Sequence, residues 1–287
     1  MLLALVLGSQ LAGSVVLDAV GDVMLDRYVG RRIDELGPGY PLEKVAPIFD
    51  KADLVAANLE CPLTNEPIRL KKQFPFRANP SHVKALSGID IVSLANNHTL
   101  DCGTAGLAET MRTLAKAGIA SVGADKKMWL PLIVQRNGLK IAFFAFSDFP
   151  EVSQTPNAEL PTYYAPGRMS ELIGFVRPQV DVIVVFAHWG VEGGSQPSGR
   201  QRSEAKEMAD AGADLIIGSH PHVLQPVERI GKTVVAYSMG NFVFDAPNAA
   251  QAKTAIFRFR LTNQGVTQFD QVPCEIVKTR PEPVART

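Results

Sequence analysis

The stretch that decides the fold is VDVIVVFAHWG, residues 180–190. Its first eight residues are almost entirely Val, Ile, Phe and Ala, and the apolar run stops at His188. Apolar runs of this length favour strands that are buried on both faces of a sheet. A polar residue directly after such a strand lies at the sheet edge where open α/β proteins bind ligands. Residues 180–187 therefore predict a central strand that delivers His188 to a functional site.

Four other apolar runs also end at polar side chains. They are residues 15–20, 52–57, 89–95 and 214–218. The polar residues that follow the five runs are Asp22, Glu60, Asn97, His188 and His220. Because the carboxyl ends of parallel strands meet at one edge of a sheet, we expect these five side chains to share a pocket.

Helical segments alternate with these strands, and hairpins follow them. Residues 104–117 and 203–211 have apolar residues at helical spacing and close with a glycine, and residues 41–52 and 169–176 are weaker helix predictions. Residues 223–230 with 233–238, and 254–261 with 266–272, predict two hairpins. The order of elements predicts one α/β domain with a mixed sheet system over residues 15–275.

The two ends of the chain read differently from this domain. Residues 276–287, with Pro281 and Pro283, predict a disordered tail. Residues 1–14 are apolar and include a small-residue stretch like a cleavage site, but they lack a basic start. Two interpretations stay open: a signal or anchor remnant of an exported or membrane-associated envelope protein, or a lead-in to the first strand of a cytoplasmic one.

Composition excludes several classes of protein. The 29 basic and 29 acidic residues balance, which argues against a nucleic-acid partner held by bulk charge. No interior stretch approaches the roughly 20 apolar residues of a membrane span. The three cysteines have no CxxC spacing, so a zinc ribbon is not expected.

Histidine chemistry gives the clearest indication of function. His220 and His222 flank Pro221, which favours an extended backbone with both imidazoles on one side. Beside them, His188 is expected to be a third imidazole ligand. Asp22 and Glu60 add carboxylates, one of which could bridge two cations about 3.5–4 Å apart. Carboxylate, amide and imidazole donors without a thiolate suit Mn, Zn, Fe or Mg, and such a pair of ions hydrolyses phosphate esters or similar bonds.

Residues near this set are candidates for substrate chemistry. Asn97 and His98 are consecutive, so we expect Asn97 to offer its amide oxygen to a metal while His98 faces the substrate as an acid. Asp101 either fixes the tautomer of His98 or caps the following helix. Arg77, in the basic loop 68–80, either meets an anionic group of the substrate or belongs to a solvated surface.

Seven ordered motifs between about residue 15 and residue 260 resemble those of the CapA family of bacterial capsule and poly-γ-glutamate synthesis proteins, which are related to calcineurin-like metallophosphatases. They are GDVM (21–24), ANLECPLT (57–64), FRA (76–78), LANNH (94–98) with Asp101 and Gly103, HWG (188–190), GSHPHVLQP (218–226) and YSMGNFVFD (237–245).

The resemblance implies a four-layer α/β/β/α sandwich with a two-metal site. The ligands that it implies are Asp22, Glu60, Asn97, His188, His220 and His222. It also implies that His98 is the acid, with Asp101 beside it, and that Arg77 and Asn241 bind substrate. One departure is notable: Met24 stands where metallophosphatases have the histidine of an Asp-x-His motif.

Two functions follow as expectations. The first is a metal-dependent hydrolase that acts on a phosphoester or on an anionic envelope polymer such as poly-γ-glutamate. The second is a non-catalytic accessory subunit that binds the polymer for a membrane-bound capsule synthase. Neither function needs a nucleic acid.

Overall fold

The computed structural model describes residues 13–70, 72–125, 129–149, 160–161 and 167–284. The strands are β1 (Val15–Val23), β2 (Leu54–Leu59), β3 (Ile91–Ser93), β4 (Ala120–Val122), β5 (Ala124–Asp125), β6 (Leu132–Arg136), β7 (Leu139–Ser147), β8 (Leu160–Pro161), β9 (Val182–His188), β10 (Leu215–Ser219), β11 (Val227–Ile230), β12 (Thr233–Ala236), β13 (Asn241–Val243), β14 (Lys253–Thr262), β15 (Gly265–Val277) and β16 (Arg280–Pro283). The helices are α1 (Arg27–Leu36), α2 (Ala46–Phe49), α3 (Gly103–Lys116), α4 (Arg168–Val176), α5 (Gly199–Asp210) and α6 (Ala249–Ala252), with 3-10 helices at Pro80–Leu86 and Arg177–Gln179.

These strands form two large sheets and a small two-stranded one. The first large sheet has the order β16-β15-β14-β1-β2-β3-β4, and β13 also pairs with β1. The second large sheet has the order β11-β12-β10-β9-β7-β6. The small sheet consists of β5 paired with β8. Strands β1 to β4 are parallel, as are β7, β9, β10 and β12, so each sheet gathers the carboxyl ends of several strands at one edge.

Apolar side chains fill three separate layers. Between the sheets, Leu17 and Phe259 of the first sheet belong to the same cluster as Phe143 and Val184 of the second. On the outer face of the first sheet, strand residues pack with α1, α3 and the first 3-10 helix. On the outer face of the second sheet, they pack with α4 and α5. The predicted four-layer α/β/β/α sandwich is confirmed, because alternate strand residues supply both faces of each sheet.

Two glycines allow backbones to approach closely beside the strand ends. A Cβ atom on Gly21 would lie 1.8 Å from the carbonyl oxygen of Gly240, and one on Gly218 would lie 2.0 Å from that of Tyr237. Neither position has room for any side chain. The residues that follow, Asp22 and Ser219, are thereby held against neighbouring strands.

Several predicted boundaries are wrong. Three predicted elements are shorter in the structure: helix 41–52 is reduced to α2, strand 89–95 to β3, and strand 223–230 to β11. Strands β6 and β7 and helix α1 were not predicted. The loss of the first half of strand 223–230 reflects the turns around Pro221 and Pro226, since proline cannot donate to a strand ladder.

The tail is the clearest correction. Instead of disorder from residue 276, β15 continues to Val277, and β16 pairs with it as an antiparallel edge strand. Arg280 anchors this strand through ion pairs with Glu43 and Glu282. Pro281 and Pro283 are tolerated because an edge strand needs fewer backbone donors.

The predicted signal or anchor covers residues 1–14, of which 1–12 lie outside the described residues. Within the described part of the chain, no helix is long and apolar enough to cross a membrane.

We expect Gly21→Ala to lower the free energy of unfolding by about 1–3 kcal/mol, because the new methyl group overpacks the contact with the Gly240 backbone. Gly174→Ala in α4 is the matched control. Nothing lies within 4 Å of a Cβ there, so it should stabilise the helix by up to about 1 kcal/mol. Urea unfolding followed by circular dichroism measures both. Equal stability of the two variants would contradict the close approach.

Candidate metal centre

The predicted ligands meet where the carboxyl ends of the two sheets face each other. Asp22 lies near the end of β1, beside Asn58 of the adjacent strand. His188 ends β9, beside Ser219 of β10. Glu60 follows β2 directly. Asp22, Glu60 and His188 are all essentially inaccessible to solvent, so the centre is built inside the molecule.

Potential metal ligands form two groups within the described residues. Ligand atoms of Asp22, Glu60 and His188 lie within 4.8 Å of one another, and all three residues are buried. Ligand atoms of Glu192, His220 and His222 satisfy the same distance, and Glu192 is exposed to solvent. The sequence therefore predicted five of these six residues and missed Glu192.

Asp22 is held as a carboxylate by its neighbours. Its Oδ1 accepts a hydrogen bond of 2.8 Å from Asn58, and its Oδ2 lies 3.2 Å from His222 Nδ1. Burial alone raises the pKa of Asp22, but the contacts with His222 and Asn58 outweigh it, so the pKa is lowered. Burial alone lowers the pKa of His222, but the contacts with Asp22 and Asn241 outweigh burial, so the pKa is raised.

Glu60 carries the strongest indication of a metal. Its side chain is completely buried, and among the described residues nothing donates a hydrogen bond to Oε1. The imidazole Nε2 atoms of His222 and His98 lie 3.6 and 3.9 Å from that oxygen, beyond hydrogen-bond distance. Burial and the charge of Asp22 raise the pKa of Glu60 well above its usual value. A buried carboxylate oxygen surrounded by imidazoles, with no donor of its own, fits a cation.

His220 supports the same conclusion. Its Nδ1 is buried and, within the described part of the chain, has no hydrogen-bond partner. Burial lowers the pKa of His220 to about 3, so the ring is neutral at pH 7 and its lone pair is free to coordinate. Phe149 packs against the ring with centroids 3.9 Å apart, which limits its rotation. The donors present therefore suit a divalent metal.

The backbone of the His220-Pro221-His222 motif differs from the prediction. Both histidines have positive φ, +93° for His220 and +58° for His222, instead of the extended conformation that Pro221 favours. Their ring centroids nevertheless lie only 6.0 Å apart. Non-glycine residues at such angles cost on the order of 1–3 kcal/mol each, and they are enriched at functional sites. The His220 N–H points to Asp22 Oδ2 at 3.4 Å, one of the contacts that the turn makes possible.

Asn97 and His98 point to different neighbours, and their predicted roles as metal ligand and acid stay predictions. Asn97 Oδ1 lies 2.9 Å from His188 Nε2, so the amide oxygen reaches the ligand group. His98 Nδ1 lies 2.7 Å from Asp101 Oδ2, which leaves Nε2 directed toward Glu60. Asp101 also accepts a hydrogen bond of 2.7 Å from the Phe76 backbone N–H. The helix-cap alternative for Asp101 is wrong, because α3 begins at Gly103 after a Cys102 cap that forms no side-chain bond.

The two predicted substrate-binding residues lie in different places. Asn241 is buried, and its Oδ1 lies 2.8 Å from His222 Nδ1, where it orients the ring. Arg77 is exposed and lines a 330 Å³ cavity with Asp26 and Asn65, among others, and no other predicted site residue lines it. Substrate binding by either residue stays a prediction.

Met24 is fully buried, and its sulfur accepts a hydrogen bond from the Asp26 N–H at 3.1 Å.

Asn58 and Glu192 were absent from the sequence-derived set. Asn58 donates to Asp22 Oδ1 at 2.8 Å and accepts from Asn96 Nδ2 at 3.1 Å, so it links two of the strand ends. Its place two residues before Glu60, on the same strand face, was a usable signal. Glu192 lies in the glycine-rich loop after His188, and an acidic residue in a loop gives little signal of its own.

Comparison with known proteins gives consistent relatives. Residues 16–246 match the family model described as bacterial capsule synthesis protein PGA_cap. The chain is 35% identical to the PGA biosynthesis protein CapA of Bacillus subtilis (strain 168), covering 93% of this chain and 73% of that protein. It is 32% identical to the capsule biosynthesis protein CapA of Bacillus anthracis, covering 92% and 68%. A probable polyglutamine synthesis accessory protein of Mycobacterium tuberculosis (strain ATCC 25618 / H37Rv) is 28% identical, covering 82% and 68%.

Solved structures share the fold at low sequence identity. A phosphatase from Mycoplasma pneumoniae superposes with a TM-score of 0.58 at 15% identity, covering 91% of this chain and 94% of that one. A 5'-nucleotidase precursor from Thermus thermophilus gives a TM-score of 0.57 at 13% identity, covering 91% and 54%. The fold is therefore shared with a phosphatase and with a 5'-nucleotidase precursor.

We expect His188→Ala to lower the affinity for Mn²⁺ at least about tenfold, since loss of even an outer partner of a metal site typically costs 10–100-fold. His82→Ala is the matched control. His82 is also buried, but it pairs with Asp34 and with the Leu25 carbonyl oxygen, outside both ligand groups. Metal analysis after equilibrium dialysis measures both variants. Equal metal content in the two would show that His188 is not a ligand.

Metal binding should release protons, because the raised pKa of Glu60 favours its protonated form in the metal-free protein, whereas a metal binds the carboxylate. Raising the pH removes such protons before the metal binds. The apparent affinity for Mn²⁺ should therefore increase with pH, by up to about tenfold per unit for each proton released. Calorimetry in two buffers of different ionisation enthalpy counts the protons. Affinity that is independent of pH between 6 and 8 would contradict the assignment.

Proposed function

The chain belongs to the bacterial capsule synthesis protein family, and from that premise we propose that it is a metal-dependent hydrolase of capsule or poly-γ-glutamate synthesis. Its substrate would be a phosphoester or an anionic envelope polymer such as poly-γ-glutamate. The observation that carries the proposal is the buried Glu60 Oε1, which has two imidazoles nearby and no hydrogen-bond donor among the described residues. Such a site is suited to a cation, and it lies on a fold shared with a phosphatase.

We propose two ions, of Mn, Zn, Fe or Mg. Asp22, Glu60 and His188 would hold one, with Asn97 beside them, and His220 and His222 would hold the other. Glu60 Oε1 lies 3.6 Å from His222 Nε2, so this carboxylate stands between the two groups and is suited to contact both ions. When bound, such ions polarise an ester and lower the pKa of water.

His98 is suited to proton transfer in this site. Burial lowers its pKa, although Asp101 raises it, so the free enzyme holds a neutral ring. Its Nδ1–H is directed to Asp101 and its Nε2 toward Glu60. An anionic substrate beside Nε2 would favour protonation there, and Asp101 would stabilise the imidazolium. His98 could then donate this proton to the leaving oxygen.

Lys72 supports the arrangement of His98 and Asp101 through two contacts. Its ammonium lies 2.9 Å from Asp101 Oδ1 and also donates to the Asn97 carbonyl oxygen. It therefore partly neutralises Asp101 and fixes the backbone between the amide ligand and the acid. Phe76 packs on the His98 ring with centroids 4.1 Å apart, which holds the ring plane.

Arg77 and Asn241 would act on the substrate in different ways. Arg77, exposed beside a cavity away from the ligands, suits an anionic polymer long enough to extend from the centre. Asn241 acts through His222, which it contacts at 2.8 Å, so its influence on the substrate would be indirect.

A second candidate is a polymer-binding accessory subunit of a membrane-bound capsule synthase at the cell envelope. Met24 favours it, because a buried thioether occupies the place of the metallophosphatase histidine and already accepts a hydrogen bond from the Asp26 N–H. The Mycobacterium tuberculosis relative is named an accessory protein of polymer synthesis. Both candidates place the protein with the polymer-synthesis machinery.

We expect the Mn²⁺-loaded protein to hydrolyse bis-p-nitrophenyl phosphate or to shorten poly-γ-glutamate. His98→Ala should lower kcat by about 100-fold or more while the metal content stays unchanged, because general acid catalysis contributes 10²–10⁴-fold. Release of nitrophenol and the chain length of the polymer are the measurements.

Glu171→Gln, an exposed glutamate on α4 outside both ligand groups and outside the cavity that Arg77 lines, serves as the control, and its turnover should match that of the unmodified protein. If the metal-loaded protein turns over neither substrate with Mn²⁺ or Zn²⁺ but binds poly-γ-glutamate, the hydrolase proposal fails and the accessory function replaces it. Equal turnover by His98→Ala and the unmodified protein would remove His98 from the reaction.

A further inference from the structure

Glu192 is an acidic side chain placed beside two buried histidines. A carboxylate oxygen of Glu192 and one ring nitrogen each of His220 and His222 lie within 4.8 Å of one another. Glu192 is exposed, whereas only 4% of His220 is accessible to solvent. In the described part of the chain, His220 Nδ1 has no hydrogen-bond partner. A buried histidine with an unpartnered ring nitrogen, grouped with a carboxylate and a second imidazole, is an incomplete coordination set.

The loop that carries Glu192 is fixed against the histidine motif by its backbone. The Gly193 N–H donates to the Pro221 carbonyl oxygen at 2.8 Å, which joins the residue after Glu192 to the residue between the two histidines. The Gly194 N–H returns to the Val191 carbonyl oxygen at 3.0 Å and closes the turn around Glu192. The carboxylate is therefore held near the imidazoles by the backbone on both sides of it.

Two buried glutamines extend this support into the body of the protein. Gln225 Nε2 donates to the carbonyl oxygens of Gly194 and Gln196 at 2.7 and 3.2 Å. Gln201, at the start of α5, donates to Gln225 Oε1 at 2.9 Å. Such buried amide bonds are costly to leave unmade, so the loop has one preferred position.

We propose that Glu192 completes a second metal site with His220 and His222, and that this solvent-facing site binds its ion more weakly than the buried site of Asp22, Glu60 and His188. The inference rests on the proposed function only in taking a divalent cation as the ligand. It gives the outer ion a third donor from this chain.

The difference in affinity follows from burial and charge. The buried group offers two carboxylates and an imidazole in a place from which water is excluded, where attraction to a cation is strong. The outer group offers one carboxylate, and that carboxylate faces solvent, which screens its charge. The outer ion should therefore dissociate first when metal becomes scarce.

The test is a titration of the metal-free protein with MnCl₂, followed by calorimetry and by the electron paramagnetic resonance signal of free Mn²⁺. The unmodified protein should bind two ions with unequal affinity. Glu192→Gln should weaken the weaker event at least about tenfold and leave the tighter event unchanged. Glu171→Gln, an exposed glutamate on α4 that pairs only weakly with Arg168 at 3.4 Å, is the matched control and should change neither event.

Gln225→Leu provides a second variant that removes no ligand. It should release the loop and weaken only the weaker event, and the intact tighter event would show that the chain remains folded. Binding of both ions by Glu192→Gln with unchanged affinity would overturn the proposal. So would loss of the tighter event in that variant, or binding of a single Mn²⁺ by the unmodified protein. The titration needs no turnover, so failure of the hydrolase proposal and failure of this one are distinguishable.

Discussion

Asp22 and Glu60 are two carboxylates buried side by side at the ends of adjacent parallel strands, and the surrounding structure is organised to tolerate them. Two like charges without solvent are too costly to persist, so one must be protonated or a cation must lie nearby. Asn58 and His222 stabilise the charge of Asp22. Glu60 keeps an oxygen that receives no hydrogen bond from the part of the chain that the structure describes. The close backbone approach at Gly21, the positive φ of the two histidines and the burial of His188 all bring donors toward this pair.

Much of the fold could be predicted from the sequence because strands buried on both faces leave a simple pattern. Residues 180–187 and 15–20 both end at residues that reach the centre. Strand β7 has an equally apolar sequence, but it ends at Ser147, which draws no attention as a ligand. Short strands such as β3 and β13 lack enough residues to show a period. The disordered tail was predicted from prolines, whereas pairing with β15 and the ion pairs of Arg280 decided the outcome.

Most residues of the metal centre could be predicted from the sequence, but their backbone conformation and contacts could not. His220 and His222 follow from their motif, yet the proline rule gave the wrong backbone, because tertiary contacts with β1 and β13 hold the turn at positive φ. Glu192 could not be ranked from sequence, since an acid in a loop is usually structural, and the position of Asn58 two residues before Glu60 does not reveal its hydrogen bond to Asp22. Their roles depend on which strands become neighbours. That neighbourhood is a property of the sheet order and not of any local segment.

The position of β1 in the first sheet also has a consequence for how the protein is made. On one side β1 pairs with β2, which follows it closely in the chain, and on the other with β13 and β14, which lie more than 200 residues later. During synthesis, β1 therefore has an open edge until β13 and β14 have also left the ribosome. A chain that stops short of β14 exposes that edge. The order of synthesis thus makes early termination a route to aggregation for this sheet.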